Sequence, residues 1–389
     1  MDLYTLDTLL RRERVIDKYK SLIWTERFQD VGDFEIVLES TSEFRKYLAP
    51  GTRLVIPESN RVMEVDTAID EVNEDGDKIL TIKGPSIEII LDNRVARETM
   101  ADLTAADSWI INDDPKAAVE LVFSSVCADG DLDPDDVIPY LTSTPIYPAD
   151  GIAAPSTSVE NVFPLTTVLE AIKPVCEAYD MGFRLVRDPD SNQLKFDIYM
   201  GTDRTTDQST VPAVVFSPDF DNISNTTELM SSAGSKNVAY VFSPVGFEIV
   251  FAPDVDPDTA GFERKVLMVR ADDIDDGVPA TATQKMIDRG LEELAKLRDV
   301  AALDGEISQT SQYTYDTDYY LGDLVELRSR DGDANIMRVT EQIFVSDAEG
   351  DRAYPTLTVK KLVSPGSWAG WPNVTWFDMD SDPLEWEDA

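Results

Sequence analysis

Two stretches of this 389-residue chain resemble each other, and that duplication limits the fold more than any other feature. The run Gly51…Leu54-Val55-Ile56, then Val62-Met63-Glu64-Val65 and Ile69, matches Gly322…Leu324-Val325, then Ile336-Met337-Arg338-Val339 and Ile343. Both continue into an acidic glycine loop, Asn73-Glu74-Asp75-Gly76-Asp77 against Asp347-Ala348-Glu349-Gly350-Asp351. Both close on near-identical strands, Leu80-Thr81-Ile82-Lys83 against Leu357-Thr358-Val359-Lys360. The offset is 274 residues through the loop (76 to 350) and 277 after it (80 to 357), which reads as a three-residue insertion. Two unrelated hairpins of similar strand composition are the alternative. A true repeat means two copies of one small β-barrel, separated by an insert of another class.

Local patterns fill in that plan. Apolar, β-branched runs at 21–28 and 33–40 flank the turn Asp30-Val31-Gly32-Asp33, and strands follow at 53–57, 61–72 and 78–84. A helical turn fits 42–48, where Ser42 can cap it and Pro50-Gly51 stops it, and a short helix fits 85–95. From residue 96 the character becomes α+β. Asp113 or Asp114 can cap a helix from Pro115 to Cys127, and a loop rich in Asp and Pro covers 128–158. A second helix begins near Thr167 with Glu170 as its capping-box partner, and Pro174 should kink or shorten it. A hairpin at 182–188 and 193–201 follows. Strands resume at 211–216, 222–229, 236–242, 246–251 and 264–270, a helix fits 281–298, and the last strands lie at 323–327, 335–345 and 356–362.

The expected fold is therefore mainly β with an α+β insert. A first barrel covers 1–95 and an α+β insert 96–210. The second barrel is split into 211–242 and 302–362 around further α+β material at 243–301, and an extended arm covers 363–389.

Composition excludes several functions. The chain has 75 acidic and 34 basic residues, a formal net charge of −41. Broad phosphate-backbone binding needs clustered Lys and Arg, and anionic membrane surfaces need the same. There is no histidine, so the commonest general base and zinc ligand are missing. The two cysteines, Cys127 and Cys176, make no CxxC motif and read as ordinary thiols, with a disulfide the less favoured alternative. No phosphate loop, dinucleotide fingerprint, nucleophile elbow or zinc motif occurs, so no cofactor, catalytic or metal site is expected. The acidic run 129–136 has odd-position acids like a calcium loop. Pro134 stands where an EF-hand needs glycine and Tyr140 where it needs the bidentate Glu, which favours a solvated loop. No apolar run approaches a membrane span and the N-terminus lacks a signal-peptide core, so a soluble protein made in a cytoplasm is expected.

The C-terminal stretch stands apart. Four of the six tryptophans, Trp368, Trp371, Trp376 and Trp386, fall in the last 22 residues together with six acids and no base. The rings either strap back onto their own chain or anchor a docking arm. Trp371-Pro372 and Asp382-Pro383 force extended backbone, and an extended segment cannot bury its indoles against itself. The expectation is an arm that docks on a neighbour.

Four segments carry a family likeness: SLIWTERFQDVGDFEIVLES, LTIKGPSIEIILDNRV, FSPDFDNISNTTELMSSAGSKNVAYV and YDTDYYLGDLVELRS. Through them the chain resembles the tail-hub (minor tail) proteins of long, non-contractile-tailed bacteriophages, over most of residues 1–362. It is similar, through that family, to the baseplate hubs of contractile tails. The resemblance implies a homotrimer whose two tube-like barrels per chain make a ring of six, adapting a six-fold tail tube to a three-fold tip. It implies a tail tube or distal tail protein above, tip or receptor-binding proteins below, and genomic DNA passing through without specific binding. It places the protein at the virion tail tip, as a structural component and not an enzyme. Strands such as 33–40 and 323–327 would be the edges that pair across barrels. A glycan-binding or glycan-degrading tail-tip protein, using carboxylates and exposed tryptophans, is the alternative.

Overall fold

A computed structural model describes residues 1–72, 76–99, 108–130, 132–142, 151–156, 158–222, 224–252, 255–272, 274, 279–297, 300–306, 313–328 and 334–359. The chain opens with β1 (Leu3–Leu6), β2 (Arg12–Ile16), β3 (Ser21–Arg27), β4 (Asp33–Glu39), α1 (Ser42–Tyr47), β5 (Arg53–Val55), β6 (Met63–Glu64), β7 (Thr67–Val72) and β8 (Lys78–Pro85), then a 3-10 turn, Ile87–Asn93. The insert carries β9 (Trp109–Asp113), α2 (Pro115–Phe123), β10 (Val159–Phe163), α3 (Val168–Ala178), β11 (Gly182–Arg187) and β12 (Leu194–Tyr199). There follow β13 (Val215–Phe216), β14 (Ser224–Ser231), β15 (Val238–Ser243), β16 (Gly246–Phe251), β17 (Val266–Arg270) and α4 (Pro279–Lys296). The last strands are β18 (Val300–Glu306), β19 (Leu324–Arg328), β20 (Ala334–Asp347) and β21 (Gly350–Val359).

Two compact units result. The first is Met1–Leu229 with Ala302–Val359, and the described part of the second lies within Met230–Ala301. Helix starts follow side-chain chemistry. Thr41, not Ser42, caps α1 by accepting from Phe44 N (3.1 Å). Asp114 caps α2 through Ala117 N (2.9 Å), with Pro115 at the first position. Thr167 caps α3 through Glu170 N (3.2 Å), and the helix runs through Pro174 without ending. The strands β9 and β10 pair antiparallel across 45 residues (113 to 159), a non-local match that no local pattern announced.

The duplication is real at the level of main-chain hydrogen bonds. Gly51 donates to Val65 O (2.7 Å) and Val65 N donates back to Thr52 O (2.8 Å); Gly322 and Val339 repeat this with Val339 O (2.8 Å) and Asp323 O (3.0 Å). Both glycines hold positive φ, +88° and +86°, which other residues adopt only with strain. The ladders agree too. Leu54 pairs with Met63 as Val325 does with Met337, and Thr67 with Lys83 as Glu341 does with Thr356. Met63 bridges Ser86 as Met337 pairs with Val359. Register therefore relates the copies by 271 residues in the first strand (54 to 325), 274 in the second (63 to 337) and 273 in the third (86 to 359).

This corrects the alignment of the third strand. Leu80 lies opposite Asp70, whose counterpart Phe344 pairs with Ala353, so Leu80 corresponds to Ala353 and not to Leu357. A slip of four residues keeps every side chain on its face, so an alternating pattern cannot detect it.

The copies are not separate closed barrels. None of the sheets closes on itself among the described residues. One ten-stranded sheet runs β14-β18-β21-β20-β3-β4-β8-β7, with β19 pairing β20 and β13 off that path. Its order is one four-strand set followed by the same set again. Neither segment expected at an edge is one: β4 lies between β3 and β8, and β19 between β13 and β20. The strand expected at 236–242 within the second barrel is β15, which pairs with β16 and β17 in the second unit.

Cores follow the same division. In the first copy Trp24, Phe34 and Leu38 pack against Leu3, Leu54 and Met63 of the small sheet β2-β1-β5-β6. In the second, Phe216, Tyr319, Val325 and Met337 form the counterpart. The insert shares a third core with the first copy, in which Leu6, Val55 and Leu91 join insert residues such as Phe163 and Phe183 and the Phe123 and Phe196 rings stack at 3.8 Å.

The two glycine corners differ in surroundings, which separates strain from packing. A Cβ on Gly51 would meet nothing within 4 Å, whereas one on Gly322 would run into the Phe28 ring. Gly51→Ala should cost about 1–2 kcal/mol, the left-handed penalty alone. Gly322→Ala should cost clearly more, measured as urea midpoints of the two variants.

Candidate assembly interface

The copies meet where β20 pairs antiparallel with β3, from Glu341↔Arg27 to Ser346↔Leu22. The strand β20 is long enough to serve both copies. Its first half pairs with β19, and its second half turns to β3 after a one-residue bulge next to Val339. Phe28 N extends the ladder to Thr340 O (2.9 Å). Arg27 binds Glu341 across the seam (2.7 Å) and Asp33 on its own side (2.6 Å). Phe344 of the second copy sits in the core of the first. The N-terminal ammonium reaches Asp351 (2.8 Å), and Tyr19 donates to Ser346 Oγ (3.0 Å).

The ends of the ten-stranded sheet's main path, β14 and β7, have one neighbour each among the described residues, as does β13 off the path. All six residues of β7 are exposed, including Ile69 and Val72. These six, 67–72, correspond at the 274-residue offset to Glu341–Ser346, the six that form the internal seam. The free edge of the first copy is thus the counterpart of the seam-forming edge of the second.

Behind the seam lies a buried ionic cluster. In β3 the inward positions are Leu22, Trp24 and Glu26, followed by Phe28, and all four are buried. Glu26 accepts from Trp24 Nε1 (3.3 Å), Ser59 Oγ and Tyr315 Oη (3.0 Å). Arg61 pairs with Glu88, which is fully buried and also accepts from Leu185 N (2.9 Å). Arg184 binds Asp197 (2.7 Å) and lies over the Tyr199 ring (4.1 Å). A small polar cavity opens among Glu26, Ser59, Arg61, Tyr199 and Tyr315. The cluster ties both copies and the insert together within the first unit. Arg338 does likewise on the other side, donating to Met200 O (2.8 Å) and Asp180 (2.5 Å).

Sequence reasoning missed this cluster. One signal was available: Glu26 falls in phase with Leu22, Trp24 and Phe28, an acid on an inward face. Burial pushes its carboxyl up, against the pull of the Arg61 guanidinium and its hydrogen bonds.

The sequence candidates fall elsewhere. Trp368, Trp371, Trp376 and Trp386 lie outside the described residues, as does the whole arm 363–389. In the acidic run, Asp136 is held by Arg97 (2.8 Å) and Arg94 (3.6 Å), and Asp133 accepts from Asp135 N (3.0 Å) as a turn cap. No cluster of three or more metal-ligating side chains occurs among the described residues. Cys127 and Cys176 are free, fully buried in the insert core, and burial pushes each thiol up to about 12.

Asp316 supplies a pH test of the cluster. Burial and the nearby Glu26 charge push it up to about 6, against Arg184. A carboxyl raised above its unfolded value holds a proton longer in the folded state, so it costs stability as pH rises from about 4 to 6. Asp316→Asn removes that cost. The variant should gain about 1–2 kcal/mol at pH 7, allowing for water access, and nothing at pH 3.5, by paired denaturation curves. Asparagine also tolerates the positive φ (+63°) at this site.

Comparison with known proteins follows from this architecture. Three solved structures share the fold. The tail protein from Neisseria meningitidis MC58 matches at 12% identity and a TM-score of 0.55, covering 95% of this chain and 98% of that one. The 43 kDa tail protein of prophage MuSo2 from Shewanella oneidensis matches at 11% and 0.57, covering 92% and 98%. The prophage tail protein gp18 from Listeria monocytogenes EGD-e matches at 11% and 0.51, covering 93% and 95%. At such identities the likeness is one of fold. No curated protein matches. The family model described as Siphovirus ReqiPepy6 Gp37-like protein matches residues 2–357, nearly the whole of both repeats and the insert, and the chain belongs to that family.

Proposed function

We propose that this chain is a structural hub at the tail tip of a long-tailed, non-contractile bacteriophage. Three copies form a ring of six repeats that joins a six-fold tail tube to a three-fold tip. The observation that carries this reading is the correspondence of β7 with the seam-forming half of β20. Each chain already contains one repeat-to-repeat junction. Pairing the free β7 of one copy with the free β14 of the next continues the same order, so the contact is heterologous and generates a ring if the rotation closes. Six repeats from three chains match a hexameric tube. Closure also covers two edge strands whose unpaired N–H and C=O groups otherwise template aggregation.

The net charge of −41 supports a lumen that lets DNA slide. Acidic walls repel phosphates within a Debye length of about 8 Å at physiological salt, whereas counterion release would hold DNA on a basic wall. The partners of such a ring are the tube or distal tail protein on one side and the tip or receptor-binding proteins on the other. Among the described residues no helix is long and apolar enough to cross a membrane. The glycan reading rests on tryptophans outside the described residues, and no specific observation favours it.

Two outcomes are expected. Native mass measurement of the assembled protein should give three copies, and symmetry in a cryo-electron map of the tail should be three-fold at this chain; six copies would sink the reading. Successive residues of a strand direct their N–H groups to opposite sides, so of Asp70→Pro and Glu71→Pro one removes an outward donor and the other breaks the ladder to β8. The outward one should leave the chain folded by circular dichroism but monomeric by sedimentation. Trimers from both variants would exclude β7 as the interface.

A further inference from the structure

The second unit has a sheet with one covered face and one open face. Its order is β16-β15-β17. The helix α4 packs against Ala239, Val241, Val250 and Val269 on one side. Alternation sends Phe242, Phe247, Ile249 and Met268 to the other, and register brings them together: Phe242 faces Phe247, and Tyr240 faces both Ile249 and Met268. These side chains are strongly exposed, at 42%, 60%, 42% and 67%. The two Phe rings stack at 6.1 Å on the open side. Two cations flank the patch: Arg270, exposed and paired in register with Phe242, and Arg264, whose guanidinium lies over the Phe251 ring at 5.2 Å. A contiguous aromatic patch rimmed by cations, in a chain of net charge −41, calls for an acidic aromatic occupant.

We propose that the open face of the β16-β15-β17 sheet is the docking site of this chain's own C-terminal segment, residues 360–389. The segment has the required chemistry, with four tryptophans, six acids and no base after Lys361. It also starts in the right place along the chain. Ala302, at the start of β18 where the chain returns from the second unit, is the ladder partner of Thr358, next to the last residue of β21. The end of β21 therefore lies about 5 Å, one strand spacing, from the start of β18, the strand that follows α4 in the chain. Thirty residues extend to about 100 Å, which gives ample reach. Tethering keeps the local concentration of the segment high, so docking within one copy outcompetes docking on another copy in dilute solution. Indoles from the tail cover the Phe and Met side chains, while its carboxylates meet Arg264 and Arg270 at the rim. This inference does not depend on the hub reading and can fail or hold separately from it.

The test uses the full chain. A benzophenone amino acid replaces Met268, and a second preparation carries it at Phe247. Irradiation of an equal mixture of light and 15N-labelled protein is followed by peptide mass spectrometry. The expected result is cross-links to peptides within 360–389, of uniform isotope composition. Cross-links to 360–389 that are light–heavy in about half of the pairs, as random pairing between copies requires, or cross-links only to peptides outside 360–389, overturn the proposal. A second measurement reads the indoles directly. Phe247→Glu with Met268→Glu, both at exposed positions, should leave far-UV circular dichroism unchanged while tryptophan emission shifts to the red and acrylamide quenching rises. Trp24 is buried in the first unit and supplies an unmoved background. Unchanged emission and quenching in that folded variant would also overturn the docking.

Discussion

The fold of the first unit depends on one main-chain ladder, the pairing of β20 with β3. An isolated copy of the repeat would leave an edge strand whose backbone groups compete for any available partner. The chain resolves this on one side by making its second copy the neighbour of its first. The ladder is reinforced where backbone pairing alone would slide. Phe344 enters the other copy's core, and the Arg27–Glu341 pair sits across the seam. Register is set by these side chains and by the bulge after Val339, which bends β20 away from β19.

Burying charge behind that ladder is the second constraint. Glu26, Arg61 and Glu88 sit where a purely apolar core would pack at no desolvation cost. Each draws partners from different parts of the first unit, although one Glu88 oxygen is left without a hydrogen bond, so the cluster assembles only when repeat and insert are in their native places. Such a network contributes little net stability, but mispacking it leaves an unpaired buried charge worth several kcal/mol. Its effect is to select one arrangement of repeat against insert. The asymmetry of the two glycine corners has the same origin: Gly322, unlike Gly51, abuts Phe28 at that junction.

The duplicated sheet joins its two copies at one internal seam, and the strand at the far end of the first copy is the counterpart of the seam strand of the second. The strand β7 keeps the length and position of the half of β20 that forms the internal seam. The insert links the first copy to the second, and the second unit occupies a connection that is short in the first copy. Between β3 and β4 the chain turns in five residues, 28–32, whereas between their counterparts β14 and β18 it carries the described part of the second unit. Loop insertions of this kind cost little entropy once the flanking strands are fixed.

Local physics was legible in the residues themselves. Glycine corners at 51 and 322, the caps of α2 and α3, the hairpin β11–β12 and the mainly β character all follow from propensities, capping chemistry and period-two alternation within short windows. The duplication was legible for the same reason, since Gly and Met recur in the same order, 12 residues apart in the first copy (51 to 63) and 15 in the second (322 to 337). What depended on partners distant in sequence was not. The third-strand register was read four residues out, because alternation is blind to even slips. Two closed barrels were expected where the copies share an open sheet, since nothing local says whether an edge closes on itself or on a neighbour. The assignment of β15 to the second unit, and the distant partners Ser59 and Tyr315 that receive the inward-phased Glu26, lie beyond any window of sequence. Only the tertiary structure decided which strand edges met and which acids went inside, because both are set by long-range packing and desolvation rather than by the preferences of adjacent residues.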